Sequence, residues 1–222
     1  MSVDKILSSV LGSPAASGFA GGLAGGLASG LLTGKKGRKV AKEVLKLGGV
    51  AAVGGLAWAA WTRYRAGGGP VVADTPQAVA AIVEKATAAG FLPPPDRPAA
   101  SEELASTLLR AMIAAARADG RLDGDERRAI FDRVATLELS DAEKAELWSL
   151  LEHPVDLEAL VAAGGTQERA LEIYTASLLA IDPDTPAERG YLAMLAGRLG
   201  LPDELVASVH REAATRAAPA TA

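Results

Sequence analysis

The sequence predicts an all-α protein in which glycine-rich, membrane-associated N-terminal helices precede a compact helical bundle. Apolar side chains recur three and four residues apart along most of the chain, as they do on one face of a helix. Residues that cap helix starts precede several of these stretches. A helix-loop-helix pattern also occurs twice in the second half of the chain, which is typical of a bundle built by internal duplication.

Charge divides the chain into two regions. Residues 1–66 hold nine basic and two acidic side chains, whereas residues 67–222 hold 14 basic and 25 acidic ones, so the net charges are +7 and −11. We therefore expect a region that contacts anionic surfaces, followed by a soluble region. The chain has no cysteine, which excludes disulfides, thiolate zinc sites and cysteine nucleophiles.

The first apolar segment, residues 15–34, carries a regular stripe of glycines. In a helix, residues four apart share a face, and Phe19 begins a parallel stripe of large apolar side chains beside the glycines. Glycine destabilises a helix in water by about 1 kcal/mol, whereas lipid favours a helical backbone. We expect this segment to bind membrane and to self-associate through its small residues. The glycines are Gly18, Gly22, Gly26, Gly30 and Gly34.

A second apolar segment, residues 44–61, ends in Trp58 and Trp61 and is followed by arginines, as in an interfacial membrane anchor. Its length and its glycines make a full span marginal. A basic cluster between the two segments is expected to face anionic lipid. A disordered basic arm remains an alternative, and a nucleic-acid arm is disfavoured because no aromatic residues interleave the basic ones. The cluster comprises Lys35, Lys36, Arg38, Lys39, Lys42 and Lys46.

The remainder of the chain divides into three predicted parts. Residues 67–100 form a Pro- and Gly-rich spacer with one short helix that begins near Pro76. Residues 101–216 form the helical bundle. Residues 217–222 form a disordered tail.

Capping residues and apolar spacing define the helices of the bundle. Ser101 is expected to cap the first helix. Thr185 and Glu188 form a capping box, with Pro186 in the first turn of the helix that follows. The side chains predicted to face the core in the first helix and in two later ones are Leu104, Leu108, Leu109, Met112, Ile113, Leu171, Tyr174, Leu178, Ile181, Leu192, Leu195 and Leu199.

The duplication appears when Glu126 is aligned with Glu188. Ile130 then coincides with Leu192, and further apolar positions also coincide. The loops "ARADGRLDGDERR" and "LAIDPDTPAERG" become equivalent. Their carboxylates suit calcium or magnesium, although the first loop does not match an EF-hand, since Ile130 stands where that motif needs Glu. The alternative is that these acids cap helices.

The two loops and the N-terminal segments together support a resemblance. "AARADGRLDGDERRAIF" and "LLAIDPDTPAERGYL" resemble the TerB-like tellurite-resistance superfamily, and the glycine-rich start resembles the YebE-type group of bacterial inner-membrane proteins of unknown function. The resemblance implies an all-helical, TerB-like bundle and no enzyme. It also implies an acidic patch suspected of binding a divalent cation. That patch carries over onto Asp119, Asp123, Glu126, Asp182 and Glu188.

These patterns favour a membrane-anchored, non-enzymatic helical module that senses or scaffolds in envelope or metal stress. Its expected partners are membrane lipids and a second copy of the chain. One alternative is a metal-dependent hydrolase, and another is a nucleic-acid tether. His153 and His210 are interpreted as surface or terminal residues rather than catalytic bases. The basic cluster favours a bundle on the periplasmic side of the inner membrane, or on the cytoplasmic side if neither segment spans.

Overall fold

The computed structural model describes residues 3–12, 49–67, 76–118, 140–153, 155–181, 183 and 185–217. Within these ranges the chain forms helices and no strand, which confirms the all-α prediction. The helices are α1 (Val3–Gly12), α2 (Gly49–Ala66), α3 (Pro76–Ala88), α4 (Pro98–Ala116), α5 (Asp141–Glu152), α6 (Leu157–Ala163), α7 (Gln167–Ala180), α8 (Pro186–Arg198) and α9 (Asp203–Ala217).

Local capping explains where several of these helices begin. The capping box at Thr185 and Glu188 is confirmed, since each residue's side chain accepts a hydrogen bond from the other's backbone N–H. Thr166 caps α7 in one direction, since its hydroxyl accepts a hydrogen bond from the Arg169 N–H. The predicted cap at Ser101 is wrong, because α4 already begins at Pro98, whose fixed φ suits a first helical turn.

Helix α7 lies at the centre of the bundle. Every residue from Ala170 to Ala180 is buried, and the helix packs chiefly against α4 and α2. The predicted core positions on it, Leu171, Tyr174 and Leu178, are at most 1% exposed. Polar residues are buried here as well, and the Ser177 hydroxyl donates to the Ala111 carbonyl oxygen of α4 at 3.3 Å. Helix α7 is therefore surrounded by protein on all sides.

Helix α2 also belongs to the core. It packs against α9, α1, α7 and α3, and its side chains Val53, Leu56 and Ala60 are at most 1% exposed. They form one hydrophobic cluster with residues from α4, α7 and α9. The core thus crosses the boundary predicted at residue 66.

Helix α1 caps the N-terminus of α2 from outside the helix. The Asp4 carboxylate accepts a hydrogen bond from the Val50 N–H at 3.1 Å, and the Ser8 hydroxyl accepts one from the Gly49 N–H at 2.6 Å. A Cβ at residue 49 would lie 2.7 Å from the Ser8 backbone nitrogen, so only glycine allows this approach. The helices on either side of segment 13–48 are consequently in direct contact.

Candidate functional site

Carboxyl groups from three different helices point toward α2. Helix α2 itself has no charged residue before Arg63. Asp4 comes from α1, Glu172 from α7 and Glu212 from α9, and the two glutamates are fully buried. We call these three groups the α2-facing carboxyls. Burial of a carboxylate is unfavourable unless it is paired, so the hydrogen-bond partners of each group determine whether it is stable there.

Glu172 is half-paired. Its Oε2 accepts a hydrogen bond from Arg169 Nη1 at 2.7 Å, whereas Oε1 is buried and has no hydrogen-bond partner among the described residues. A Cβ at Gly54 of α2 would lie 3.0 Å from that Oε1. Burial raises the pKa of Glu172 to about 8, against the opposing effect of Arg169. A neutral carboxyl is therefore favoured at this position.

Glu212 attaches α9 to the opposite end of α2. Its Oε1 accepts a hydrogen bond from Arg63 Nη1 at 2.9 Å. Its Oε2 is buried and has no partner in the described part of the chain. One turn earlier, the Ser208 hydroxyl donates to the Ala60 carbonyl oxygen of α2 at 2.8 Å. A buried hydrogen bond and an ion pair thus join the two helices side by side.

Asp4 lies at the N-terminus of α2. Burial raises its pKa, and the backbone N–H groups of Val50 and Gly49 act in the opposite direction. Glu102 of α4 raises the pKa further by charge repulsion, and its carboxylate accepts a hydrogen bond from the Val3 N–H at 2.6 Å. Two acidic side chains, Asp4 and Glu102, therefore lie beside the first turns of α1 and α2.

A tyrosine and a histidine connect α7 to α9. The Tyr174 hydroxyl lies 2.9 Å from His210 Nε2. Burial lowers the pKa of His210 and raises that of Tyr174 to about 12. Tyr174 therefore donates to a neutral His210 at neutral pH. His210 is half-buried on the last helix and bonded to Tyr174, whereas His153 is exposed.

Only part of the predicted metal set lies within the described residues. Asp119, Asp123, Glu126 and Asp182 lie outside them. Glu188 caps α8, and its Oε2 accepts hydrogen bonds from the Thr185 N–H at 3.1 Å and hydroxyl at 2.8 Å. In the described ranges, no three His, Asp or Glu side chains gather as metal ligands would. Metal binding by the acidic loops stays a prediction.

The predicted membrane residues fall into two groups. The glycine stripe and the basic cluster lie in residues 13–48, outside the described ranges. Trp58 and Trp61 lie on α2, partly buried against the core. Trp61 contacts the Phe91 ring edge-on at a centroid distance of 5.8 Å, and the Arg65 guanidinium lies 4.8 Å above the Trp61 ring. None of the helices in the described ranges combines the length and apolar character needed to cross a membrane.

A shallow cleft of about 290 Å³ opens between α4, α5 and α6. Two of its polar side chains already have partners. Asp156 accepts a hydrogen bond from the Ala159 N–H at 3.1 Å, and His153 Nδ1 lies 2.7 Å from the Ser149 carbonyl oxygen. These two groups therefore stabilise local backbone and are not directed at a ligand.

Sequence reasoning did not identify the α2-facing carboxyls. The available signal was the position of two acids within apolar stripes. Glu172 follows Leu171 and precedes Ile173, and Glu212 lies three residues after Val209 on α9. An acid on the core face of a helix indicates a buried ion pair or a protonated carboxyl. Which partner it meets depends on the neighbouring helix.

Comparison with known proteins identifies the family. The family model described as "Protein of unknown function (DUF533)" matches residues 17–213. The chain belongs to the DUF533 family. An "Uncharacterized protein in ampR 5'region" of Yersinia enterocolitica is similar to this DUF533 chain, with 30% identity over 98 residues, which are 44% of this chain and 70% of the relative. No solved structure matches the chain. The family match includes the glycine-rich segment together with Glu172 and Glu212.

Proposed function

We propose that this DUF533 protein is a non-enzymatic helical module that associates with the bacterial inner membrane through residues 13–48. The observation that carries the proposal is the junction of α1 and α2. Ser8 contacts Gly49 there, so the two helices that flank the glycine-rich and basic segment 13–48 are joined directly. The bundle would then present this segment to a surface as a loop fixed at both ends.

The composition of the loop supports a lipid partner. It contains six basic side chains and one acidic side chain, and each Lys or Arg near an anionic membrane contributes about 1 kcal/mol of attraction. The five-glycine stripe supports close helix contacts in lipid, including contacts with a second copy of the chain. Because α2 packs within the bundle, we assign the lipid contact to residues 13–48 rather than to Trp58 and Trp61.

Binding to vesicles tests this proposal. The full chain should sediment with anionic phospholipid vesicles and not with neutral ones, and salt should weaken the binding. Replacing Lys35, Lys36 and Lys39 by Gln should weaken it on the order of a hundredfold, since three charges are removed. The control replaces Lys85, Arg97 and Arg110, which are exposed elsewhere on the bundle. Equal binding by the two triple variants would contradict the proposal, and stronger binding to nucleic acid would favour the tether instead.

The TerB-like and YebE-type resemblances add finer proposals. They support a role in sensing or scaffolding under envelope or metal stress, with a calcium or magnesium ion held by the acidic loops. Calorimetric titration of the full chain with each ion tests the metal, and loss of the heat signal in Asp119→Ala with Asp182→Ala would assign it to both loops. C-terminal fusions to alkaline phosphatase and to a fluorescent protein test the periplasmic location.

A further inference from the structure

We propose that the contact between α2 and α7 is proton-linked: Glu172 keeps its proton while α2 lies against α7, and loss of that proton loosens the contact. This regulatory device goes beyond the proposed function and does not depend on membrane binding. The packing of α2 against α7 would then depend on pH. The same would hold for the position of Gly49, the residue of α2 that follows segment 13–48.

The geometry of Glu172 carries the proposal. Its side chain has 0% exposure, and Arg169 supplies a donor to only one of the two carboxyl oxygens. The other oxygen faces α2 at Gly54 and has no partner in the described ranges. An ionised Glu172 would leave that oxygen charged and without a donor, which is unfavourable in the interior. The absence of a side chain at Gly54 lets α2 approach this carboxyl closely.

Nearby polar groups would not stabilise an ionised Glu172. Thr175, one turn along α7, is also buried, and its hydroxyl has no partner among the described residues. Arg169 is 30% exposed, so solvent screens part of its attraction. Arg169 lowers the pKa of Glu172 and Glu168 raises it, but burial outweighs both. The balance favours a protonated carboxyl.

Several charged groups on the helices packed against α7 take part in other interactions. Arg63 of α2 pairs with Glu212 of α9, and Glu158 of α6 pairs with Arg198 of α8. His210 of α9 meets Tyr174. The other charged side chains on these helices whose burial the structure describes are Arg65 of α2, Glu102, Glu103 and Arg110 of α4, Glu188 and Arg189 of α8, and Asp203, Glu204 and Arg211 of α9.

The sign of the pH effect follows from the raised pKa. The pKa of Glu172 is about 8 in the folded protein against 4.5 for an ordinary Glu. The stabilising contribution is therefore complete below about pH 4.5 and is lost as pH rises through about 8. His210 behaves in the opposite way, because its pKa is lowered from 6.5, so it stays neutral above about pH 7. Between about pH 7 and about pH 9, His210 stays neutral while Glu172 loses its proton, so the change in stability over this range reports on Glu172.

The experiment uses the full chain with Trp148→Phe, which leaves Trp58 and Trp61 of α2 as the fluorescent reporters. Denaturant unfolding followed by this fluorescence should show the folding equilibrium constant falling about tenfold from about pH 7 to about pH 9. Glu172→Gln should remove that fall. Glu168→Gln is the matched control, since it removes one negative charge from the same helix at a half-exposed position. This variant should keep the fall, with a midpoint slightly below that of the parent because Glu168 raises the pKa of Glu172.

A second measurement does not require Glu172→Gln to fold. Infrared spectra of the unmodified chain should show a protonated carboxyl band at neutral pH that disappears with a midpoint near pH 8. Arg169→Gln should move this midpoint upward, because Arg169 lowers the pKa. A band that is already absent at neutral pH, an unchanged midpoint in Arg169→Gln, or the same pH dependence in Glu172→Gln and the parent would overturn the proposal.

Discussion

Helices α2 and α7 occupy the centre of the same bundle but have opposite sequence characters. Helix α2 is apolar and rich in glycine, and it resembles a membrane anchor in sequence. Helix α7 carries Glu172, Thr175 and Ser177, yet all its residues from Ala170 onward are buried. The more polar helix is thus enclosed on all sides. In this bundle, the extent to which a helix is buried depends on its position among its neighbours. The hydrophobicity of the helix alone does not predict that extent.

The two helices are complementary for a physical reason. A buried helix with polar side chains needs a neighbour that can approach closely without adding further desolvated groups. Gly54 meets this need beside Glu172, and the small side chains of α2 bring its backbone carbonyls within reach, as Ser208 of α9 shows. The glycines that suggest lipid-embedded packing therefore also suit a dense aqueous bundle.

The largest expected effect comes from removing α1 and α2 together. A chain of residues 67–222 lacks Ile6, Leu7, Val53 and Leu56, which are at most 1% exposed in the intact protein. Each such side chain contributes about 1.5–3 kcal/mol, so their sum is comparable with the whole stability of a domain. We expect thermal unfolding monitored by circular dichroism to lose its cooperativity. A chain of residues 1–217 is the control, and a cooperative transition in 67–222 would show that α7 needs neither α1 nor α2.

A smaller effect separates two adjacent glycines of α2. A Cβ at Gly54 would meet Leu92 Cδ2 and Glu172 Oε1, whereas one at Gly55 would lie 3.4 Å from Ile82 Cγ2. Gly54→Ala should destabilise the protein by about 1–3 kcal/mol through overpacking. Gly55→Ala should stabilise it by up to about 1 kcal/mol, because alanine favours helix. Urea midpoints measure both changes, and equal effects would mean that Gly54 is not required for close contact with α7.

The smallest effects concern how each helix is capped. Thr166 caps α7 locally and is exposed, whereas Ser8 caps α2 from another helix and is half-buried. Thr166→Ala should lower the free energy of unfolding by about 0.5–1 kcal/mol and Ser8→Ala by about 1–2 kcal/mol. In addition, Ser8→Ala should increase hydrogen exchange at Gly49 and Val50. Unchanged exchange there would show that α1 does not cap α2 in solution.

The sequence predicted much of the bundle because its signals are local. The capping box at Thr185 involves residues three apart, and the apolar stripes of α4 and α7 follow helical periodicity. The position of α2 could not be obtained in this way, since lipid and a protein core both accept an apolar, glycine-rich helix. The candidate site was missed for a related reason: the burial of Glu172 and Glu212 depends on α2.

The amino-acid sequence by itself therefore determined the helical class, the capping box at Thr185 and the core-facing positions of α4, α7 and α8, because these depend on residues within a few turns of one another. Only the tertiary structure decided that α2 fills the core, that α1 caps it, and that three carboxyls from α1, α7 and α9 face it. The physical reason is desolvation. A carboxyl's cost of burial and its preferred protonation state are set by groups that are distant in sequence and adjacent in space.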